Sequence, residues 1–255
     1  MVKKQGAVVY RATSNHSPEV VIFRARTYFK WMLPICLMLL LTGTARAESV
    51  KFSLGVKSWL AEWETTDRGS SFRSRVGAMY GPVAILRYQN FFVGATYLTG
   101  TFQFPVDAVT DTETDRTDTD VITGYYFNPY FGITGGYKFI DFTFKFPTSQ
   151  GVADLNAEAR GPFAGILGSY PLGRSGFLFY GNATYAWLSR TFKQAGVGEA
   201  TGDFEGFSGE LGLAYRMPTA PVTFTEGFKY QKFDDRSADS SDTFMGLIFS
   251  AAYSF

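Results

Sequence analysis

The last fifteen residues, Ser241 to Phe255, leave little choice of secondary structure. At a period of two, Thr243, Met245, Leu247, Phe249, Ala251, Tyr253 and Phe255 share one face, while Asp242, Gly246, Ser250, Ala252 and Ser254 take the other. A helix would scatter these apolar positions around its circumference, so the stretch reads as a β-strand. Its aromatic face needs cover, either from a second sheet or from lipid.

The same alternation recurs along the chain. Val50, Phe52, Leu54, Val56 and Leu60 oppose Lys51, Ser53, Gly55, Lys57 and Ala61, which predicts a first strand over Val50 to Trp63. After a polar loop the chain returns through about residues 75–89, turns at Gln89-Asn90, and leaves through Phe91, Val93, Ala95 and Tyr97. Pro105 to Thr114 is the most polar loop. It leads into a strand over Asp115 to Phe127, with Val121, Tyr125 and Phe127 outward and Arg116, Asp118 and Asp120 inward. Further strands are predicted over Tyr130–Phe146, 158–170, Gly176–Phe192, the segment around Phe207–Arg216, 222–233 and the closing stretch. The class is all-β: an antiparallel up-and-down transmembrane barrel of ten strands, with eight as the alternative. A soluble sandwich would not place aromatics repeatedly at strand ends.

Residues 1–47 read as a leader with a signal peptide, leaving 48–255 as the barrel domain. Arg24, Arg26 and Lys30 precede an apolar run from Met32 to Leu41, and Ala45-Arg46-Ala47 offers small residues for cleavage. That run is too short for a membrane helix, which needs about 20 residues, and no later stretch approaches that length. The only Cys and the only His, Cys36 and His16, both fall in the leader. Residues 48–255 keep 17 of the 24 Lys and Arg and 22 of the 23 acids, a net charge of −5. A mildly acidic chain without a basic tract argues against a nucleic-acid partner, and nothing in it calls for a cofactor.

A closing strand with an aromatic rim, carried here by Phe249, Tyr253 and Phe255, resembles those of Gram-negative outer-membrane β-barrel proteins. The resemblance implies an integral outer-membrane location, surroundings of outer-membrane lipid and lipopolysaccharide, and a terminal Phe255 read by the barrel assembly machinery. A ten-strand barrel with Asp118 and Asp120 at its mouth also resembles the omptin proteases, but that family's chemistry needs a His that residues 48–255 lack. A barrel hydrolase is therefore the third reading and an enzyme is not expected. The first is a small barrel with a structural or narrow, selective solute-passage role. The second is a surface-contact or adhesion protein acting through its short outer loops.

Alternation assigns Lys57, Arg87, Arg116, Asp118, Asp120, Lys138, Arg190, Glu210, Arg216 and Lys229 to the lumen. Ten strands enclose little more than eight, where side chains already fill the bore, so a self-paired, mostly occluded lumen is expected. If short turns fix register, Glu210 lies across from Lys229, Asp120 from Lys138, Tyr88 from Phe91, Phe127 from Phe131, Leu167 from Phe179 and Leu211 from Phe228. Asp111, Glu113 and Asp115 share a face and are weak candidates for a cation, without the glycine of an EF-hand loop. Two features resist the pattern. Pro82 and Pro162 sit inside strands and point to the upper rim or a bulge. Glu226 points toward lipid unless a bulge or a shallow depth removes it.

Overall fold

The computed structural model describes residues 50–105, 111–148, 151–194, 198–235 and 238–255. The predicted leader, and the interior of the predicted loop at 105–114, lie outside them. The strand segments are β1 (Lys51–Asp67), β2 (Ser70–Arg73), β3 (Gly77–Tyr88), β4 (Phe91–Pro105), β5 (Asp111–Asn128), β6 (Phe131–Thr148), β7 (Gly151–Pro171), β8 (Phe177–Gln194), β9 (Gly198–Arg216), β10 (Val222–Asp235) and β11 (Ser240–Ser254). β1 pairs antiparallel with both β2 and β3, each strand from β3 onward pairs antiparallel with the next, and β11 pairs with β1 over Ser53↔Ser254 to Asp67↔Ser240, closing the wall. β2 pairs only with the top of β1, across a turn in which Arg68 and Gly69 take φ of 46° and 81°. Below it, Arg75 N–H donates to Gln103 O at 2.8 Å and carries the chain into β3. β2 and β3 are thus two lengths of one descending strand, and the wall is the closed ten-stranded antiparallel barrel that the sequence predicts.

The outer wall is apolar between two aromatic levels. On β8, Phe177 and Trp187 mark them, both about half exposed. Ten residues at about 3.4 Å and a tilt of about 40° give roughly 26 Å along the membrane normal, the height of a lipid-facing band. At the lower end, Phe255 N–H donates to Phe52 O at 2.7 Å, and the Phe255 ring stacks on Phe52 with centroids 5.8 Å apart.

Several expectations are corrected. The upper strands run further than the alternation of apolar residues suggests: β5 begins at Asp111 and β7 at Gly151, ahead of the predicted starts at Asp115 and 158. Polar residues continue the two-residue period there, with Thr112, Thr114 and Arg116 buried, and β-branched Thr suits a pleated wall. Pro82 and Pro162 are neither at the rim nor in a bulge. Register is unchanged on either side of each, from Tyr80↔Thr99 to Val83↔Thr96 and from Arg160↔Ser189 to Phe163↔Ala186. Only the ladder is interrupted, on the side where proline has no N–H to give. A Cβ on the preceding glycine would meet the neighbouring carbonyl at 2.0 Å in both cases, Gly81 against Tyr97 O and Gly161 against Trp187 O.

Glu226 is exposed on the outer wall, paired without a bulge to Leu213 and Phe249. Tyr88↔Phe91 and Leu211↔Phe228 pair as the turns dictate. Phe127 sits in a bulge between Tyr126 and Asn128, its ring 6.0 Å from Phe131. Leu167 does not oppose Phe179: it pairs with Asn182, and Phe179 with Tyr170. The turn that decides this is asymmetric, with Leu172 N–H bonded to Phe177 O and positive φ at Gly173 and Gly176.

Candidate functional site

Inward-facing side chains fill the bore in layers. In the upper layer Trp59, Trp63, Phe102, Phe142, Phe204, Phe233 and Phe244 are fully buried or nearly so. Trp63 is its centre, with centroids 4.8 Å from Phe244, 5.6 Å from Phe102 and 5.4 Å from Phe142. Asp242 anchors this layer, accepting from Trp63 Nε1 at 3.0 Å, Thr65 Oγ1 at 2.5 Å and Arg190 Nη1 at 3.1 Å. The Arg190 guanidinium also lies over the rings of Phe192, Phe204 and Phe142. A charge taken out of water needs this combination of a counter-ion, hydrogen bonds and aromatic faces.

Beneath it lies a charged layer. Arg116 is 0 % exposed and grips both oxygens of Asp118, at 2.6 Å from Nε and 2.8 Å from Nη2. Nη2 also donates to Gln231 Oε1 at 2.6 Å. β5 and β10 are diametrically opposed in the ring of strands, so this bond spans the bore. The same guanidinium stands 3.6 Å above the centre of Phe244. Lys138 bonds Asp120 at 2.5 Å, in the register Asp120↔Lys138. Glu210 and Lys229 are likewise paired in register, yet Glu210 takes its ion pair elsewhere. It accepts from Lys57 Nζ of β1 at 3.1 Å and from Tyr180 Oη at 3.0 Å. The Lys229 ammonium lies instead over the Trp59 ring, 4.5 Å from its centre.

The remaining sequence candidates are scattered. Arg87 and Arg216 sit at the lower mouth, exposed, with Arg87 over the Tyr126 ring and its Nε on Gln89 O. Asp118 and Asp120 do not form an acidic pair open at the mouth, since each is held by its own base. Asp115 lies on the outer face, bound to Lys145 at 2.7 Å and Thr101 Oγ1 at 2.6 Å. Among the described residues no group of three Asp, Glu, His or Cys is gathered as for a metal. Trp59, Trp63, Tyr180, Gln231 and Asp242 were not singled out by the sequence. Alternation from Lys57 does place both tryptophans inward, and that signal could have found them.

The closed wall, its aromatic levels and its filled bore describe a membrane barrel, and sequence comparison gives its kind. Residues 87–255 match the family model for the outer membrane protein beta-barrel domain. The chain belongs to this family. It is accordingly an integral protein of the lipid- and lipopolysaccharide-containing outer membrane. No curated protein matches it by sequence. Among solved structures, this outer-membrane barrel is similar to the outer membrane protease OmpT from Escherichia coli, at 13% identity and TM-score 0.49, covering 84% of this chain and 99% of that one. It is also similar to Ail, the attachment invasion locus protein of Yersinia pestis, at 12% identity and TM-score 0.40, covering 81% and 99%. Neisserial surface protein A aligns at 11% identity and TM-score 0.41, covering 80% and 97%.

Proposed function

We propose that this barrel is a structural element of the outer membrane whose lumen is closed to solutes. The observation that carries the reading is the Arg116–Gln231 bond across the bore beneath an aromatic layer centred on Trp63. A solute would have to break a charge-assisted bond in a low-dielectric interior and displace side chains packed as in a protein core. The narrow-passage role therefore has less support than the structural one. The protein reconstituted in planar bilayers is expected to give no discrete openings; regular unitary steps would overturn the proposal.

Surface contact is the second reading, favoured by the wall above the upper aromatic level. Exposed ion pairs cover it, among them Arg73–Glu64, Arg160–Glu158 and Lys193–Glu158. Loss of cell or ligand adhesion on shortening residues 105–115, in a silent barrel, would support it. Neither reading requires catalysis. Residues 50–255 contain no His or Cys, and the two acids of the omptin-like reading are both ion-paired.

Phe255 serves in this reading as the signal for the assembly machinery, with Phe249 and Tyr253 on the same outer face. Its side chain is 70 % exposed and is anchored by backbone and stacking contacts to Phe52. Deleting Phe255 is expected to cut the amount of folded barrel recovered from outer membranes by several-fold. Recovery at the wild-type level would remove it as a signal.

A further inference from the structure

Three buried hydrogen-bond donors in the charged layer or bordering it from the aromatic layer have no hydrogen-bond partner in the protein: Arg116 Nη1, Gln231 Nε2 and Trp59 Nε1. All three side chains are 0 % exposed. Nη2 of Arg116 is bonded to Oε1 of Gln231 at 2.6 Å, so the free Nη1 of that guanidinium and the free Nε2 of that carboxamide belong to two groups in direct contact. The Trp59 indole stands beside the same group, its ring centre 5.8 Å from the Arg116 Cζ. Lys229, two residues before Gln231 on the same inward face of β10, completes the set, its ammonium 4.5 Å from the same ring. On these three side chains every unpartnered atom is a donor; Thr114 Oγ1 and Arg190 Nε, higher in the bore, also lack a partner. A missing acceptor explains that better than chance loss of bonds, since buried polar groups are almost always satisfied.

Charge separates an anion from a water. The layer holds four bases, Lys57, Arg116, Lys138 and Lys229, against three acids, Asp118, Asp120 and Glu210. Every acid is already engaged, by Arg116, Lys138 and Lys57 respectively. Lys229 has the Glu210 and Asp120 carboxylates in its surroundings but makes no ion pair or hydrogen bond with either. One positive charge is left over in a space shut off from solvent above by the aromatic layer, and such a charge calls for a counter-ion.

We infer that the closed constriction binds one small inorganic anion of the halide class, held by Arg116 Nη1, Gln231 Nε2, Trp59 Nε1 and the Lys229 ammonium. The inference deepens the closed-lumen reading by making the anion part of the plug, but its test reads binding and stability, whereas that reading is tested by conductance. A bound halide stabilises the folded barrel by mass action.

The test uses the detergent-extracted protein. Its unfolding midpoint is compared in sodium bromide and in sodium gluconate at equal ionic strength, and bromide-soaked crystals are examined for anomalous scattering. The expected result is a higher midpoint in bromide and an anomalous peak between Arg116 and Gln231. Gln231→Glu supplies a carboxylate in place of the anion, so it should raise the midpoint in gluconate and abolish the bromide effect. Lys229→Met should abolish the effect as well; should that variant not fold, Gln231→Glu still decides. Equal midpoints in the two salts, a bromide effect that survives Gln231→Glu, or peaks at the surface alone, meaning an adventitious ion only, would each overturn the inference.

Discussion

Arg116→Ala is expected to destabilise the folded barrel by about 3–5 kcal/mol, the range for removing one partner of a buried ion pair. The substitution strands the Asp118 carboxylate, which is 3 % exposed and whose two oxygens both accept from Arg116. It also leaves Gln231 Oε1 without its donor and Phe244 without the cation above its face. Lys145→Ala is the contrast. Its pair with Asp115 lies on the outer surface with both side chains more than a third exposed, so about 0–1 kcal/mol is expected. Replacing Arg116 and Asp118 together by Met and Leu should recover much of the loss, because no unpaired charge remains. Denaturant titration of the protein in lipid vesicles, followed by the mobility shift of the folded form, measures all three. An Arg116→Ala variant as stable as Lys145→Ala would show that water reaches the charged layer freely, and the plug would then have to be abandoned.

Gly246→Val is expected to prevent closure of the barrel. Gly246 lies in β11 at the seam with β1, where it pairs with Ala61. A Cβ there would meet Leu60 O at 1.8 Å and Ala61 Cα at 2.8 Å. Both are backbone atoms of the partner strand, so relief requires the two strands to separate. The open edges would expose unpaired N–H and C=O groups to hydrocarbon, at several kcal/mol for each group. The compact, heat-modifiable form should therefore be nearly lost. Gly135→Ala is the control, since a Cβ there meets only Phe163 O, at 3.3 Å, a contact that a small shift relieves. Wild-type yields of folded Gly246→Val would mean that the seam is looser than its register implies.

The wall of this protein is written in its sequence at a range of two residues. Alternation sorts Leu54, Val56 and Leu60 outward from Lys57 and Ala61, and it does so wherever the two faces of a strand differ in polarity, because successive side chains must leave opposite sides of a pleat. Short turns extend that legibility to the neighbouring strand. A turn between Thr219 and Ala220 fixes Glu210 against Lys229, and one at Pro129 fixes Asp120 against Lys138. Legibility stops where the turn is asymmetric. The segment between β7 and β8 sets the axis between Arg174 and Ser175, and that carries Leu167 to the inner face beside Asn182. It also stops where both faces of a strand are polar, as in the upper part of β5, because hydrophobic contrast is then absent.

What the sequence alone determined is therefore the class, an even count of ten strands or eight, and the side of the wall wherever the two faces of a strand differ in polarity. Only the tertiary structure decided which residues meet across the bore. Glu210 stands beside Lys229 in the sheet but pairs with Lys57, three strands around the ring, and Arg116 reaches Gln231 from the opposite wall. Those contacts depend on the radius and stagger of the closed barrel and on the lengths of the side chains that bridge it. These quantities are set by the ring as a whole, and no local period in the chain encodes them.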